Sequence, residues 1–175
     1  YRDVIATRTS HLAAMTQQDF DAEALTPAGR DTYGRFMRIR IFDCWVHEID
    51  LIDSVDGRDG RVPTQRIPQA WALDEIGASL PFVVGKLAGA PRGSRVIFDI
   101  TGLAPRLQRI EVADRAGAVT AFPDGDESAT ARLTVDGVEL ARLVGGRSSA
   151  DPSTVTISGD EELGKRIVAH LNYMI

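Results

Sequence analysis

A chain of 175 residues, 43% of them hydrophobic, is long enough to bury a real core in one ordinary domain or two small ones. Its net charge of −5 argues against nucleic acid or an anionic membrane as the main partner, because both bind basic surfaces. No apolar run approaches the roughly 18 to 20 residues that span a bilayer. Cys44 is the single cysteine, which excludes an internal disulfide and favours a reducing, cytoplasmic location.

The amino-terminal residues 1–16 carry a helical stripe of apolar side chains. The chain lacks an initiator methionine and the apolar centre of a signal peptide, and it begins inside this predicted helix. We therefore expect that the natural protein has a further amino-terminal segment. Residues 17–33 are polar and rich in turn formers, which predicts an ordered connection.

The next predicted helix, residues 33–53, contains the most informative pattern of the chain. From residue 36 to residue 52 its side chains are apolar almost all the way round, which is typical of a buried helix. At about 100° per residue, one narrow stripe nevertheless collects four polar side chains, those of Arg40, Asp43, His47 and Asp50. Buried charges must be paired or bound to a metal. The carboxylate and the imidazole, four residues apart, therefore predict two ligands of a metal site.

The other two residues of the stripe are predicted to support this site. Asp50 follows His47 by three residues and is expected to orient its second ring nitrogen, as carboxylates do for metal-binding imidazoles. Arg40 precedes Asp43 by three residues and either binds an anionic substrate or neutralises the carboxylate. An Asp–His pair at this spacing is also commonly no more than a local ion pair.

A catalytic zinc site needs a third protein ligand, and the rest of the sequence offers no obvious one. His11 is more typical of the rim of a core or of the surface, and His170 is expected to be exposed. Cys44 could reach the side of the helix that carries His47, but a single cysteine is most often a small buried hydrophobe.

The remainder of the chain changes from helical to alternating periodicity. After a loop at residues 56–63, a third helix is predicted for residues 68–88, with Trp71 facing the core and Pro81 kinking or breaking the helix. Five strands are then predicted, at residues 96–100, 107–112, 117–121, 130–135 and 154–157. A short helix at residues 136–143 and a final helix, which begins with a sequence like a capping box at residues 158–161, accompany them.

This order of elements predicts the class of fold. Helices come first, and a mostly antiparallel sheet with two helices follows, which is typical of an α+β fold or of two separate domains. We place the domains at residues 1–90 and 94–175.

The segment Arg40-Ile-Phe-Asp-Cys-Trp-Val-His-Glu-Ile-Asp50 resembles the signature of actinobacterial mycothiol-dependent maleylpyruvate isomerase-like proteins, which are DinB-like metal-binding helical bundles. Upstream, Ala24–Gly29 resembles the connection that precedes this helix in the family. Downstream, the strands, Leu143–Arg147 and Val155–Asp160 resemble the family's sterol-carrier-like C-terminal domain. The resemblance covers nearly the whole chain. It implies part of a four-helix bundle followed by a small α+β domain.

The resemblance also implies a metal site and a co-substrate. In the family a divalent metal, usually zinc, is bound by a histidine from an earlier helix and by a carboxylate and a histidine four residues apart. Asp43 and His47 match the last two ligands, and the first would lie in a segment that precedes Tyr1. Asp43 stands where the best-understood branch has Glu, so its shorter side chain would shift the metal.

The reaction that the resemblance implies is the addition of mycothiol to an electrophile such as maleylpyruvate, followed by cis–trans isomerisation, or thiol transfer. The acidic substrate requires cations, for which Arg40 and Arg147 are the candidates. Arg147 is equally typical of an exposed residue after the end of a helix. Two other functions stay open: a non-catalytic protein that holds a small hydrophobic ligand, and a metal-free relic in which Arg40, Asp43 and His47 form an ion network.

Overall fold

The computed structural model describes residues 1–174. Its internal contacts divide the chain into two compact units, one of residues 1–41 and one that begins at Phe42.

In the first unit, α1 (Arg2–Ala14), α2 (Gln17–Asp21), β1 (Glu23–Thr26) and β2 (Gly29–Thr32) precede α3 (Tyr33–Asp56), which continues into the second unit. The two strands form an antiparallel hairpin. Its turn is closed by the Thr26 hydroxyl, which donates to the Gly29 carbonyl at 2.8 Å and accepts from the Ala28 amide at 3.1 Å. The predicted connection at residues 17–33 is thus ordered, and it contains a short helix and a hairpin that its polar composition does not indicate.

The second unit contains the rest of α3 and all later elements. They are α4 (Arg66–Phe82), a π-helical turn (Val83–Leu87), β3 (Arg95–Thr101), β4 (Arg106–Val112), β5 (Ala116–Val119), β6 (Ala131–Asp136), α5 (Gly137–Val144), β7 (Thr156–Gly159) and α6 (Glu161–Ala169). Within residues 1–174, no helix combines the length and the apolar character needed to cross a membrane.

The five strands β3 to β7 form one sheet in the order β5-β4-β3-β6-β7. The central pair β3 and β6 is parallel, with Phe98 opposite Leu133, and the other three pairings are antiparallel. The prediction of an α+β fold with a mostly antiparallel sheet is therefore confirmed.

One hydrophobic core joins the sheet to the helices of the second unit. Because side chains alternate along a strand, Val96, Phe98 and Ile100 of β3 point to the same face, and all three are buried. The apolar faces of α4, α5 and α6 pack on this side of the sheet. The segment of α3 that follows Phe42 contributes Trp45 and Ile49 to the same core. This packing sets the position of the polar face of α3 in the second unit.

Of the two sequence-based expectations for α4, one is confirmed and the other is wrong. The α-helix ends one residue after Pro81 and continues as a π-helical turn, as expected for a residue that cannot donate a backbone hydrogen bond. The prediction that Trp71 faces the core is wrong, because its side chain is 45% exposed. The buried side of α4 is centred on Leu73 and Ile76, roughly 170° around the helix from Trp71 at the usual helical periodicity.

The last helix begins differently from the predicted capping box. The side chain of Asp160, and not that of Ser158, caps α6 by accepting from the amide of Leu163 at 2.9 Å. The apolar face of α6 is buried as predicted, with Leu163 and Ile167 fully covered.

The close approach of α6 to β7 depends on Gly164. A Cβ built on Gly164 would overlap Ile157 Cγ2 on the neighbouring strand. We expect Gly164→Ala to lower the free energy of unfolding by about 1–2 kcal/mol, because overpacking outweighs the roughly 1 kcal/mol that alanine adds to helix propensity. Urea unfolding measured by circular dichroism tests this. In an Ile157→Ala background the same change should become neutral or stabilising, and an equal loss in both backgrounds would contradict the packing argument.

Candidate functional site

The candidate site lies on one face of α3, where the helical spacing places Asp43, His47 and Asp50 in a row. His47 is between the two carboxylates, with its Nε2 atom 3.4 Å from Asp43 Oδ1 and its Nδ1 atom 3.1 Å from Asp50 Oδ2. A carboxylate that accepts the Nδ1 proton leaves the Nε2 lone pair directed toward the other carboxylate. The row therefore presents one ring nitrogen and one carboxylate oxygen on the same side.

The expectation that this row is buried is wrong for its members in the second unit, Asp43, His47 and Asp50. The side chains of His47 and Asp43 are 63% and 44% exposed. On this part of α3 the buried residues are Trp45, Val46 and Ile49. Trp45 and Ile49 lie on the side of the helix that faces away from the row, and Val46 lies on its flank. An apolar composition all round a helix thus does not by itself make every side of that helix buried, and the cost of burying a charge is no argument for a metal here.

Arg147 links this row to the residues that follow α5. Its Nε and Nη2 atoms donate to the two carboxylate oxygens of Asp50, each at 3.0 Å, and its Nη1 atom donates to the Gly145 carbonyl at 2.7 Å. These hydrogen bonds from the guanidinium, opposed by partial burial, hold the pKa of Asp50 below its usual value. Asp50 Oδ2 therefore accepts from both Arg147 and His47, which a carboxylate oxygen with two lone pairs can do.

A second arginine–aspartate pair follows one turn further along α3. Arg142 of α5 donates two hydrogen bonds to Asp53, at 3.0 and 2.6 Å, and the Ser149 hydroxyl adds a third at 2.9 Å. Both charged side chains are nearly buried: 7% of the Arg142 side chain and 11% of the Asp53 side chain are exposed. Burial alone would raise the pKa of Asp53, but these hydrogen bonds outweigh it and the pKa lies below its usual value.

This second pair is part of a larger buried network. Glu139, of which 6% of the side chain is exposed, contacts Arg142 at 3.3 Å and accepts from Arg58 at 2.8 Å. Arg58 also donates to the Ser149 carbonyl at 2.6 Å. Four charged residues of this network were not predicted from the sequence: Asp53, Arg58, Glu139 and Arg142. A usable signal was present, because Glu139 and Arg142 are the only charged residues of α5, a helix that is otherwise apolar.

The remaining candidates from the sequence lie at the surface. Cys44 is exposed, contrary to the expectation of a small buried hydrophobe, and so is His170, as expected. In the first unit, Arg40 and His11 are exposed as well. Within residues 1–174 no group of three or more His, Cys, Asp or Glu side chains is arranged to hold a metal ion.

A cleft of about 650 Å³ adjoins Arg147. Leu143, Ile157, Val168 and Leu171 form its apolar lining, and Lys165 and Asn172 are among its polar residues. The guanidinium of Arg147 thus borders this cleft and also contacts the row on α3.

Comparison with known proteins identifies the family. Residues 70–166, more than half of the chain, match the family model described as the MDMPI C-terminal domain. The chain belongs to this family. No curated protein sequence matches the chain.

Among solved structures, the apo form of Sterol Carrier Protein 2 from Yarrowia lipolytica matches with 14% sequence identity and a TM-score of 0.38. The match covers 60% of this chain and 91% of the sterol carrier chain. The membership of the MDMPI C-terminal domain family agrees with the family that the sequence resembles. The family model covers α5, which supplies Arg142, but it begins after the row on α3.

The buried arginine at the centre of the network should be important for stability. We expect Arg142→Met to lower the free energy of unfolding by about 3–5 kcal/mol, because it leaves Asp53 and Glu139 buried without their main counter-charge. Urea unfolding at neutral pH measures this loss. Arg92→Met is the matched control. It removes an arginine that forms an ion pair with Asp114 at the surface, where the two side chains are 76% and 84% exposed, and it should leave the free energy of unfolding unchanged. Equal losses in the two variants would contradict the assigned role.

The lowered pKa values of Asp50 and Asp53 predict a loss of stability in acid. The unfolded chain takes up these two protons near the ordinary aspartate pKa of 3.8, whereas the folded chain takes them up at lower pH. The stabilisation is therefore present above pH 4 and is lost as the pH falls through the folded-state pKa values. We expect the free energy of unfolding of Asp53→Asn to fall less steeply than that of the wild type below this pH. Asp59→Asn, which removes a 94% exposed carboxylate, controls for the lost charge. Parallel curves for wild type and Asp53→Asn would contradict the prediction.

Proposed function

We propose that the protein is a metal-dependent enzyme of the maleylpyruvate isomerase type, in which Asp43 and His47 bind a divalent metal, zinc in the first place, and a small thiol, mycothiol, is the co-substrate. Membership of the MDMPI C-terminal domain family supports this reaction class. Fold membership alone does not determine a substrate, so the local geometry of the row on α3 has to carry the assignment.

The observation that carries the proposal is the spacing of the two candidate ligands. Zinc lies about 2.0–2.2 Å from imidazole nitrogen and carboxylate oxygen, so two such atoms in one tetrahedral site are about 3.4 Å apart. Asp43 Oδ1 and His47 Nε2 are 3.4 Å apart. The donor types, the spacing and the hydrogen bond from the opposite ring nitrogen to Asp50 all fit a zinc ligand pair, although an ordinary ion pair has a similar spacing.

The pair supplies two ligands of the three that a catalytic zinc site needs. The proposal therefore requires at least one further protein ligand beyond the groups that are brought together within residues 1–174. We propose in addition that residues 1–90 form part of a DinB-like four-helix bundle and that residues 94–175 form the sterol-carrier-like domain. The lengths of α3 and α4, 24 and 17 residues, are compatible with such a bundle.

In the proposed mechanism the residues of the chain bind and orient. When bound, zinc would favour the deprotonated form of a coordinated thiol near neutral pH. Asp43 and His47 would hold the metal, and Asp50 would hold the proton on His47 Nδ1 so that Nε2 can bind. The thiolate sulfur would then add to one carbon of the substrate C=C bond, whose π electrons move onto the adjacent carbonyl group to form an enolate. Rotation about the resulting single bond follows, and collapse of the enolate re-forms the double bond and expels the thiolate, which gives the trans isomer. An external thiol agrees with a chain that has only one cysteine.

The acidic substrate needs a cation near the reacting carbon atoms. We propose Arg40 for this role. Arg147 was the second candidate in the sequence, but its hydrogen bonds to Asp50 and to the Gly145 carbonyl make it a support for the row on α3 in the first instance.

The proposal predicts that zinc binding depends on His47. We expect His47→Ala to weaken zinc binding to the intact gene product by about tenfold or more, with an unchanged circular dichroism spectrum, because an exposed side chain contributes little to folding. Equilibrium dialysis with elemental analysis measures the binding. His170→Ala removes another exposed histidine and should leave zinc binding unchanged.

Turnover of maleylpyruvate with and without mycothiol completes this test. Thiol-dependent isomerisation that disappears in His47→Ala supports the enzyme. A protein that contains no zinc, shows no turnover and loses stability on His47→Ala would instead be the metal-free relic, with the row serving as an ion network.

A further inference from the structure

The guanidinium of Arg147 is held in place by more contacts than an exposed residue after a helix would have. Its backbone amide donates to the Arg142 carbonyl at 3.0 Å, and Gly146, which adopts a φ of +60°, turns the chain just before it. A Cβ on Gly145 would lie only 2.6 Å from Arg147 Nη1, so the preceding glycine provides the space for the guanidinium. The side chain is 25% exposed and uses three of its N–H groups within the described structure.

The carboxylate that Arg147 holds is one of two that compete for His47. Asp50 Oδ2 is 3.1 Å from Nδ1 and Asp43 Oδ1 is 3.4 Å from Nε2. A neutral imidazole carries one proton, so it donates to one carboxylate and presents a lone pair to the other. If the proton is on Nδ1, the lone pair faces Asp43 and the pair can bind a metal. If the proton is on Nε2, that nitrogen is blocked.

We propose that Arg147 is a positioning residue that selects the tautomer of His47. Its two-pronged contact fixes both oxygens of Asp50, so that Oδ2 stays in line with Nδ1 and the proton remains on that nitrogen. Without this contact, Asp50 can rotate away from the ring, and Asp43 becomes the better acceptor. In this role an arginine that follows α5 controls a ring nitrogen on α3 without touching the metal, the thiol or the substrate. The importance of the tautomer rests on the proposed function, but the tautomer can be measured without any metal.

Nitrogen NMR of the metal-free protein, at a pH well above the usual histidine pKa, tests the proposal. Long-range correlations between ring protons and nitrogens distinguish the two neutral tautomers, and His11→Gln and His170→Gln assign the signals of the three histidines. We expect His47 in the wild type to be mainly in the Nδ1–H form. In Arg147→Gln the ratio of the Nδ1–H to the Nε2–H form should fall by about fivefold, the size of effect that the loss of one ordinary hydrogen bond produces.

Two further variants separate positioning from a general structural role. Gly145→Ala keeps the charge of Arg147 but displaces its guanidinium, and it should shift the tautomer ratio in the same direction. Arg147→Lys keeps the charge without the two-pronged geometry and should restore part of the ratio. Lys165→Gln removes another cation of the same cleft and should leave the ratio unchanged. A wild-type tautomer ratio in a folded Arg147→Gln protein would overturn the proposal, whatever the change in its stability.

Zinc titration of the same proteins separates this proposal from the proposed function. If the wild type binds zinc, Arg147→Gln should weaken the binding by about tenfold, the lower end of the effect of removing an outer partner of a ligand. If the tautomer shifts as expected and the wild type binds no zinc, the positioning role stands and the proposed function fails. Weakened zinc binding with an unchanged tautomer ratio would overturn the positioning role and leave the metal site intact.

Discussion

The candidate site depends on the contacts by which two arginines hold two carboxylates of one helix. Arg147 holds Asp50 and Arg142 holds Asp53, each through two hydrogen bonds to both oxygens. Planar guanidinium groups suit this task because their N–H groups match the spacing of a carboxylate. Together the two pairs fix the rotation of this part of α3 about its own axis. The direction in which His47 points is a consequence of that rotation.

The two pairs nevertheless differ in physical character. The Arg142–Asp53 pair is nearly buried and shares its charges with Glu139 and Arg58, so its integrity is mainly a matter of stability. The Arg147–Asp50 pair is partly exposed, and such pairs contribute little to stability. The role that we propose for this pair is to orient Asp50, which lies next to the imidazole of His47. A fixed acceptor decides which of the two ring nitrogens carries the single proton of a neutral ring.

Local patterns predicted the fold well and the site only in part. The alternation of Val96, Phe98 and Ile100 is a local property of the chain, and patterns of this kind indicated the strands and helices that follow residue 32. The row on α3 could be predicted because helical spacing alone brings Asp43, His47 and Asp50 together. The pairing of Arg142 with Asp53 and of Arg58 with Glu139 could not be predicted, because the partners are more than 80 residues apart in sequence and meet only through tertiary packing. The prediction that Trp71 faces the core was wrong for a related reason. The apolar character of a residue does not show whether its side of the helix packs against the rest of the protein.

The exposure of the row changes the physical argument for a metal. A buried acid and imidazole would have needed a cation, or each other, to offset desolvation. For side chains that are 44% and 63% exposed this cost is small, so it gives no argument for a metal. The case for a metal rests instead on the proposed positioning of His47: Asp50, Arg147 and Gly145 form a series of contacts that would hold the proton on Nδ1 and leave the Nε2 lone pair toward Asp43. Under the proposed function, this arrangement keeps the second nitrogen of a neutral ring available to an electrophile.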